Sequence, residues 1–121
     1  MAKGRPRILI IHRNHRAEAA QIERELNGSA RVRVIWQPEE IFQVAEQPPM
    51  DEFDAIVLFP MTIRSQPIHE RIATQFLDHE EVSIVAIGRS GDWNGGRQRV
   101  DHFCRTPTTA VRTLQEQFIR P

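Results

Sequence analysis

Five polar residues in a row, His12, Arg13, Asn14, His15 and Arg16, follow directly on the apolar run Ile8-Leu9-Ile10-Ile11. Two guanidinium groups this close together offer forked donors suited to carboxylates and phosphates, and the two imidazoles offer proton transfer or metal ligation. Further anion-binding candidates follow other apolar runs: Thr62 and Arg64 after Asp54-Ala55-Ile56-Val57-Leu58-Phe59, Arg89 and Trp93 after Val82-Ser83-Ile84-Val85-Ala86-Ile87, and Arg105 after His102-Phe103-Cys104. Asp92 is the one acid among them. A metal suits His12 and His15 poorly, because their loop spacing brings no carboxylate or thiol with it. Cys104 and His102 share a strand face, but on a short strand of an α/β core that is the pattern of a packed cysteine rather than of a nucleophile. Trp93, set among glycines, is either a ring that stacks on a ligand or partner or a lid over the end of a sheet. Trp36 is simpler, an edge-strand packing residue.

What brings these residues together is the order of the elements between them. Asp54 to Phe59 is five apolar residues behind an acid, the pattern of a strand buried on both faces, and Ile8–Ile11 and Val82–Ile87 repeat it. Between them lie helical patterns. Asn14 is placed to cap a helix reaching about Leu26, with Ala19, Ile22 and Leu26 on its apolar side and Asn27-Gly28 as its stop. Residues 31–36 alternate charged and apolar, as an edge strand does. Pro38 opens a second helix carrying Ile41, Phe42, Val44 and Ala45, which Pro48-Pro49 ends. A loop through Met61-Thr62-Ile63-Arg64 leads to Pro67 and a third helix with Ile68, Ile72 and Phe76 inward. Residues 89–96, rich in glycine, leave a fourth helix short or missing, and Thr106-Pro107 caps and starts a last helix with Val111, Leu114 and Phe118 toward the sheet.

The expected architecture is a three-layer α/β sandwich around a five-stranded parallel sheet of order 2-1-3-4-5, in one domain over residues 1–121 with residues 1–6 a loose tail. In such a sheet ligands bind at the carboxyl ends of the strands, so the polar loops form one basic rim. Sixteen basic and sixteen acidic residues cancel overall, which argues against nucleic acid or an anionic membrane as partner. One cysteine excludes an internal disulfide and fits a cytoplasmic protein, and the short apolar run after Arg7 suits neither a signal peptide nor a membrane span.

Over nearly its whole length this pattern resembles the receiver domain of response regulators. HFCRTPTTAVRTLQEQF looks like a receiver's last strand, basic-residue-plus-proline step and last helix, and DAIVLF has the shape of its phosphoacceptor strand. The resemblance implies a flavodoxin-like fold and a role in signal transduction. At the functional positions the chain departs from the family: His12-Arg13-Asn14 stand where receivers hold magnesium with acids, Phe59 where the aspartate is phosphorylated, Ile87 at the switch hydroxyl, and Thr106 at the lysine, with Arg105 one step away. An oxygen-poor, basic pocket does not suit a hard divalent cation. The chain is also similar to flavodoxins and to the amidotransferase-like fold, although the residues after Ile11 are not a flavin-phosphate loop and Gly88-Arg89-Ser90-Gly91 lacks the cysteine nucleophile. The expectation is a non-catalytic regulatory or protein-interaction domain, like a receiver that works without phosphorylation, with no cofactor and no metal. The alternative is a flavodoxin-like or amidotransferase-like protein whose basic rim takes a phosphorylated or anionic small molecule.

Overall fold

The computed structural model describes residues 4–49, 51–76, 79, 81–89, 93 and 100–119. In chain order the elements are β1 (Arg7–Ile11), α1 (Arg16–Leu26), β2 (Arg31–Ile35), α2 (Pro38–Glu46), β3 (Ala55–Leu58), β4 (Thr62–Ile63), β5 (Gln66–Pro67), α3 (Ile68–Thr74), β6 (Ser83–Ile87), β7 (His102–Cys104) and α4 (Pro107–Leu114). The main sheet runs β2-β1-β3-β6-β7 with every pair parallel, which is the order 2-1-3-4-5 once the small β4-β5 pair is set aside. This is a flavodoxin-like three-layer sandwich.

Period two along the strands makes the layers. Ile8, Ile10, Ala55, Val57, Val85 and Ile87 face α1 and α4, where Ala19, Ile22, Leu26, Ala110, Val111 and Leu114 meet them. Leu9, Ile11, Ile56, Leu58, Ile84 and Ala86 face the opposite way, onto Ile41 and Ala45 of α2 and Ile68 and Ile72 of α3. Because β1, β3 and β6 have no polar face, helices must cover both sides of them.

At the amino end of the sheet, two carboxylates finish the ladders. Asp54 Oδ2 accepts the Arg7 N–H at 2.8 Å, and Asp101 Oδ2 accepts the Ile84 N–H at 2.7 Å. The acid ahead of β3 is thus a backbone acceptor, one that the Arg7 guanidinium approaches at 3.6 Å. Pro6, within the expected loose tail, is held as well, its carbonyl accepting the Arg31 N–H at 2.8 Å.

Three local expectations change. Asn14 does not cap α1: the N-cap is His15, whose imidazole reaches Glu18 in the first turn. The stretch expected to be a plain loop before α3 is a hairpin, β4 pairing antiparallel with β5. The last helix widens after Leu114 into a π-helical turn (Gln115–Ile119), where the Gln117 amide donates to the Ser83 hydroxyl and Phe118 packs half-buried against the α1/α4 core. Thr106 caps α4 as its sequence implies, its hydroxyl accepting the Thr109 N–H at 3.2 Å. The segment expected to shorten the fourth helix lies largely outside the described residues. No helix among the described residues is long and apolar enough to cross a membrane.

The hairpin turn holds Arg64 at φ 53° and Ser65 at φ 65°, left-handed positions that side chains disfavour. Ser65→Gly removes that cost at one position. It should stabilise the fold by about 1 kcal/mol, read as a higher denaturant midpoint at unchanged slope.

Candidate functional site

Strand order reverses between β1 and β3, and the crevice there is where sheets of this kind place ligands. In this chain the crevice is filled. Phe59, one residue past β3, is fully buried and its N–H donates to the Ile11 carbonyl at 3.1 Å. The His15 ring stacks on it with centroids 4.9 Å apart and planes at 18°, and the His12 ring meets it edge-on at 6.3 Å. The two histidines are joined to each other, the His15 N–H donating to His12 Nδ1 at 3.2 Å. As an acceptor at Nδ1, neutral His12 carries its proton on Nε2. Burial holds the His12 imidazolium below its ordinary pKa of 6.5; repulsion from His15 and, more weakly, from Arg13 and Arg16 lowers it further, while Glu18 opposes them.

Beside the closed crevice, a groove of about 620 Å³ lies between α1 and the end of β2. Arg13, Asn14 and Arg16 form its rim with His12. Val34, Ala19 and Ala20 supply apolar wall, and Trp36, 49% exposed, closes it at the sheet edge. Glu23 is the carboxylate among its lining residues. The groove is therefore basic at the loop and apolar along the strand, an arrangement that suits an anionic group attached to an apolar body.

The remaining rim candidates are placed elsewhere. Thr62 and Arg64 lie on the hairpin, on the α2 face of the sheet, with the Arg64 guanidinium 5.6 Å above the Phe42 ring. Arg89 and Arg105 are exposed beyond β6 and β7, and neither lines the groove. Trp93 is only 7% exposed and sits edge-on to His69 at 4.6 Å and to Phe103 at 6.1 Å, so of its two readings the geometry gives the covering one. The rim thus divides: His12, Arg13, Asn14 and Arg16 line one groove with His15 joined to them through His12, and Thr62, Arg64, Arg89 and Arg105 lie apart from it.

Cys104 is buried with its thiol pKa raised by that burial, and its Sγ lies 3.7 Å from the Thr113 hydroxyl. This is a packing environment. Among the described residues no group of three or more His, Cys, Asp or Glu is placed to hold a metal ion.

His69 is a residue that sequence reasoning missed. It is 4% exposed in the first turn of α3, and its Nδ1 lies 2.9 Å from both the N–H and the carbonyl of Met61. The Met61 carbonyl already accepts the Ile68 N–H at 3.1 Å, and His69 Nε2 lies 3.8 Å from Glu70 Oε2, so the coherent tautomer accepts from Met61 at Nδ1. His69 fastens the hairpin to α3. Its position between Pro67 and Ile72 on the inward helical face was the available signal; Trp36 at the groove had none beyond its place on an edge strand.

No family model matches the chain, and no curated protein matches it.

Two outcomes test this site. His12 is neutral in the fold and protonates more readily when unfolded, so the stability it contributes is present above pH 6.5 and declines as pH falls below that value. In His12→Asn, which keeps an acceptor for the His15 N–H, thermal unfolding from pH 7 to 5 should vary less than in wild type. Phe59→Asp puts a carboxylate where a fully buried phenyl ring packs, and it should cost several kcal/mol, on the order of an unpaired buried charge. An unchanged melting temperature would remove Phe59 from the core.

Proposed function

We propose that this chain is a non-catalytic regulatory or protein-interaction domain, similar to a receiver that works without phosphorylation, and that the groove between α1 and β2 belongs to its recognition surface. The observation that supports this reading is the stack of His15 on Phe59. It occupies the crevice where a sheet of this order would otherwise receive a substrate, and it replaces an ionisable acceptor with a buried phenyl ring. What remains accessible is suited to contact: two arginines, a half-exposed tryptophan and an apolar wall. Signal transduction in the cytoplasm is the setting that the receiver resemblance implies.

A second reading has its own support in the size of the groove. At about 620 Å³ it falls in the range of small-molecule sites, and Arg13 with Arg16 would take a phosphate or carboxylate of such a ligand.

Thermal unfolding with added ligands separates the two. Flavin, nucleotide or sugar phosphates that raise the melting temperature of wild type but not of Arg13→Ala/Arg16→Ala establish the second reading, since selective binding to the native state stabilises it. An interaction domain gives no such ligand-specific gain. Sulfate should still stabilise wild type more than the double variant at equal ionic strength, the double variant reporting the general salting-out effect. Equal gains in both proteins would take the groove out of the recognition surface. Acetyl phosphate with magnesium should leave no acid-labile phosphate on the protein, and its appearance would overturn the phosphorylation-independent reading.

A further inference from the structure

β2 forms one open edge of the sheet, and its two kinds of residue are sorted by direction. The Arg31 N–H donates to the Pro6 carbonyl at 2.8 Å and the Ile35 carbonyl accepts the His12 N–H at 3.2 Å, so the backbone groups of residues 31, 33 and 35 are turned toward β1. By the alternation of a parallel ladder, the N–H and C=O groups of Val32, Val34 and Trp36 are turned outward, along the edge. Side chains alternate in the perpendicular sense. Val32 and Val34 lie half-buried on the α1 face, while Arg31 and Arg33 are exposed on the α2 face, where Arg33 meets Glu40 at 3.4 Å.

We propose that this edge receives an extended acidic peptide of a partner protein, added as a further strand beside β2, with acidic residues alternating with apolar ones. The proposal rests on the reading of the chain as an interaction domain and names the partner's chemistry. In either strand direction, an added strand places successive side chains on opposite faces. Those flanking Arg31 and Arg33 meet guanidinium groups, and those flanking Val32 and Val34 meet apolar surface that continues into the groove at Trp36. Charge extends the match at both ends: Arg13 and Arg16 stand past the carboxyl end of β2, and Arg5 and Arg7 share a hollow with Arg31 at its amino end, together with Asp54 and Glu81.

The same residues disfavour a second copy of this chain as the occupant. Two β2 edges paired antiparallel over the full strand would set Arg33 opposite Arg33, and like charges across a pair of strands are destabilising. The other edge strand, His102-Phe103-Cys104, carries no acid to set against Arg31 and Arg33.

Fluorescence anisotropy of a labelled peptide alternating Glu and Val tests the proposal, with a peptide of the same composition in separate Glu and Val blocks and an alternating Lys/Val peptide as controls. The alternating Glu/Val peptide should bind wild type, with slowed amide exchange at Val32, Val34 and Trp36, and both controls should bind at least about tenfold more weakly. Val34→Pro removes an outward N–H without touching the β1 ladder and should weaken binding about tenfold. N-methylation of alternate peptide residues, which leaves the protein intact, should do the same on one edge of the peptide. Arg31→Glu/Arg33→Glu should transfer the preference to the Lys/Val peptide. Equal binding of the block peptide, failure of wild type to bind the alternating one, or indifference to both backbone changes would each overturn the proposal. A dimer that Val34→Pro dissociates would assign the edge to a second copy instead. The groove and the strand edge are read separately: peptide binding that persists when the sulfate effect is absent overturns only the groove, and the reverse result overturns only the strand addition.

Discussion

The constraint on which the molecule depends is that β1, β3 and β6 have no polar face. Ile8 to Ile11, Ala55 to Leu58 and Ser83 to Ile87 are buried throughout, and alternate residues feed two separate cores. Fully burying one such aliphatic side chain is worth about 1.5–3 kcal/mol, so leaving either face open would expose more apolar surface than a domain's net stability tolerates. Helices are forced onto both sides, and parallel strands with crossover helices follow. The carboxyl end of the sheet inherits the same problem. Phe59 continues the apolar register of β3 past its last residue, and something must cover it. His15 and His12 do so, which is why the loop after β1 turns its imidazoles inward and its arginines out.

Charge is neutral in total and separated in space. At the amino end, Asp54 and Asp101 accept backbone N–H groups of neighbouring strands, supplying the hydrogen bonds that the first residues of a ladder would lack. At the carboxyl end the loop residues are basic, and those of β1 gather beside β2. A neutral chain can therefore present a local basic surface without a global field, which suits short-range recognition better than long-range attraction.

Histidine serves as fastener in both halves of the structure. His12 and His15 tie the β1 loop to β3 through Phe59, and His69 ties the hairpin to α3 through Met61. Each accepts or stacks as a compact, half-apolar ring, a role that neither an aliphatic side chain nor a permanently charged one could fill.

The sequence by itself determined the layers and the core, and the strand order followed from the general rules for crossovers in parallel α/β sheets. Short apolar runs bounded by turn residues read as strands buried on both faces, alternation in residues 31–35 marks a strand with one face in water, and Thr106-Pro107 starts a helix through chemistry confined to four residues. These are local or periodic properties, so no distant partner is needed to infer them. Tertiary structure alone decided how the polar loops divide. All the rim arginines follow strand ends and are equivalent in sequence, but whether two of them share a groove depends on side-chain direction and on which helix stands between them. Arg13 and Arg16 fall on the α1 side, Arg64 over Phe42 on the α2 side. The hairpin was hidden for a related reason: its turn places Arg and Ser at positive φ, where the local preference is for Gly or Asn, so only long-range packing through His69 reveals it. Asn14 lost the cap because His15, held on Phe59 by stacking, was already at the helix end with its own partner in Glu18.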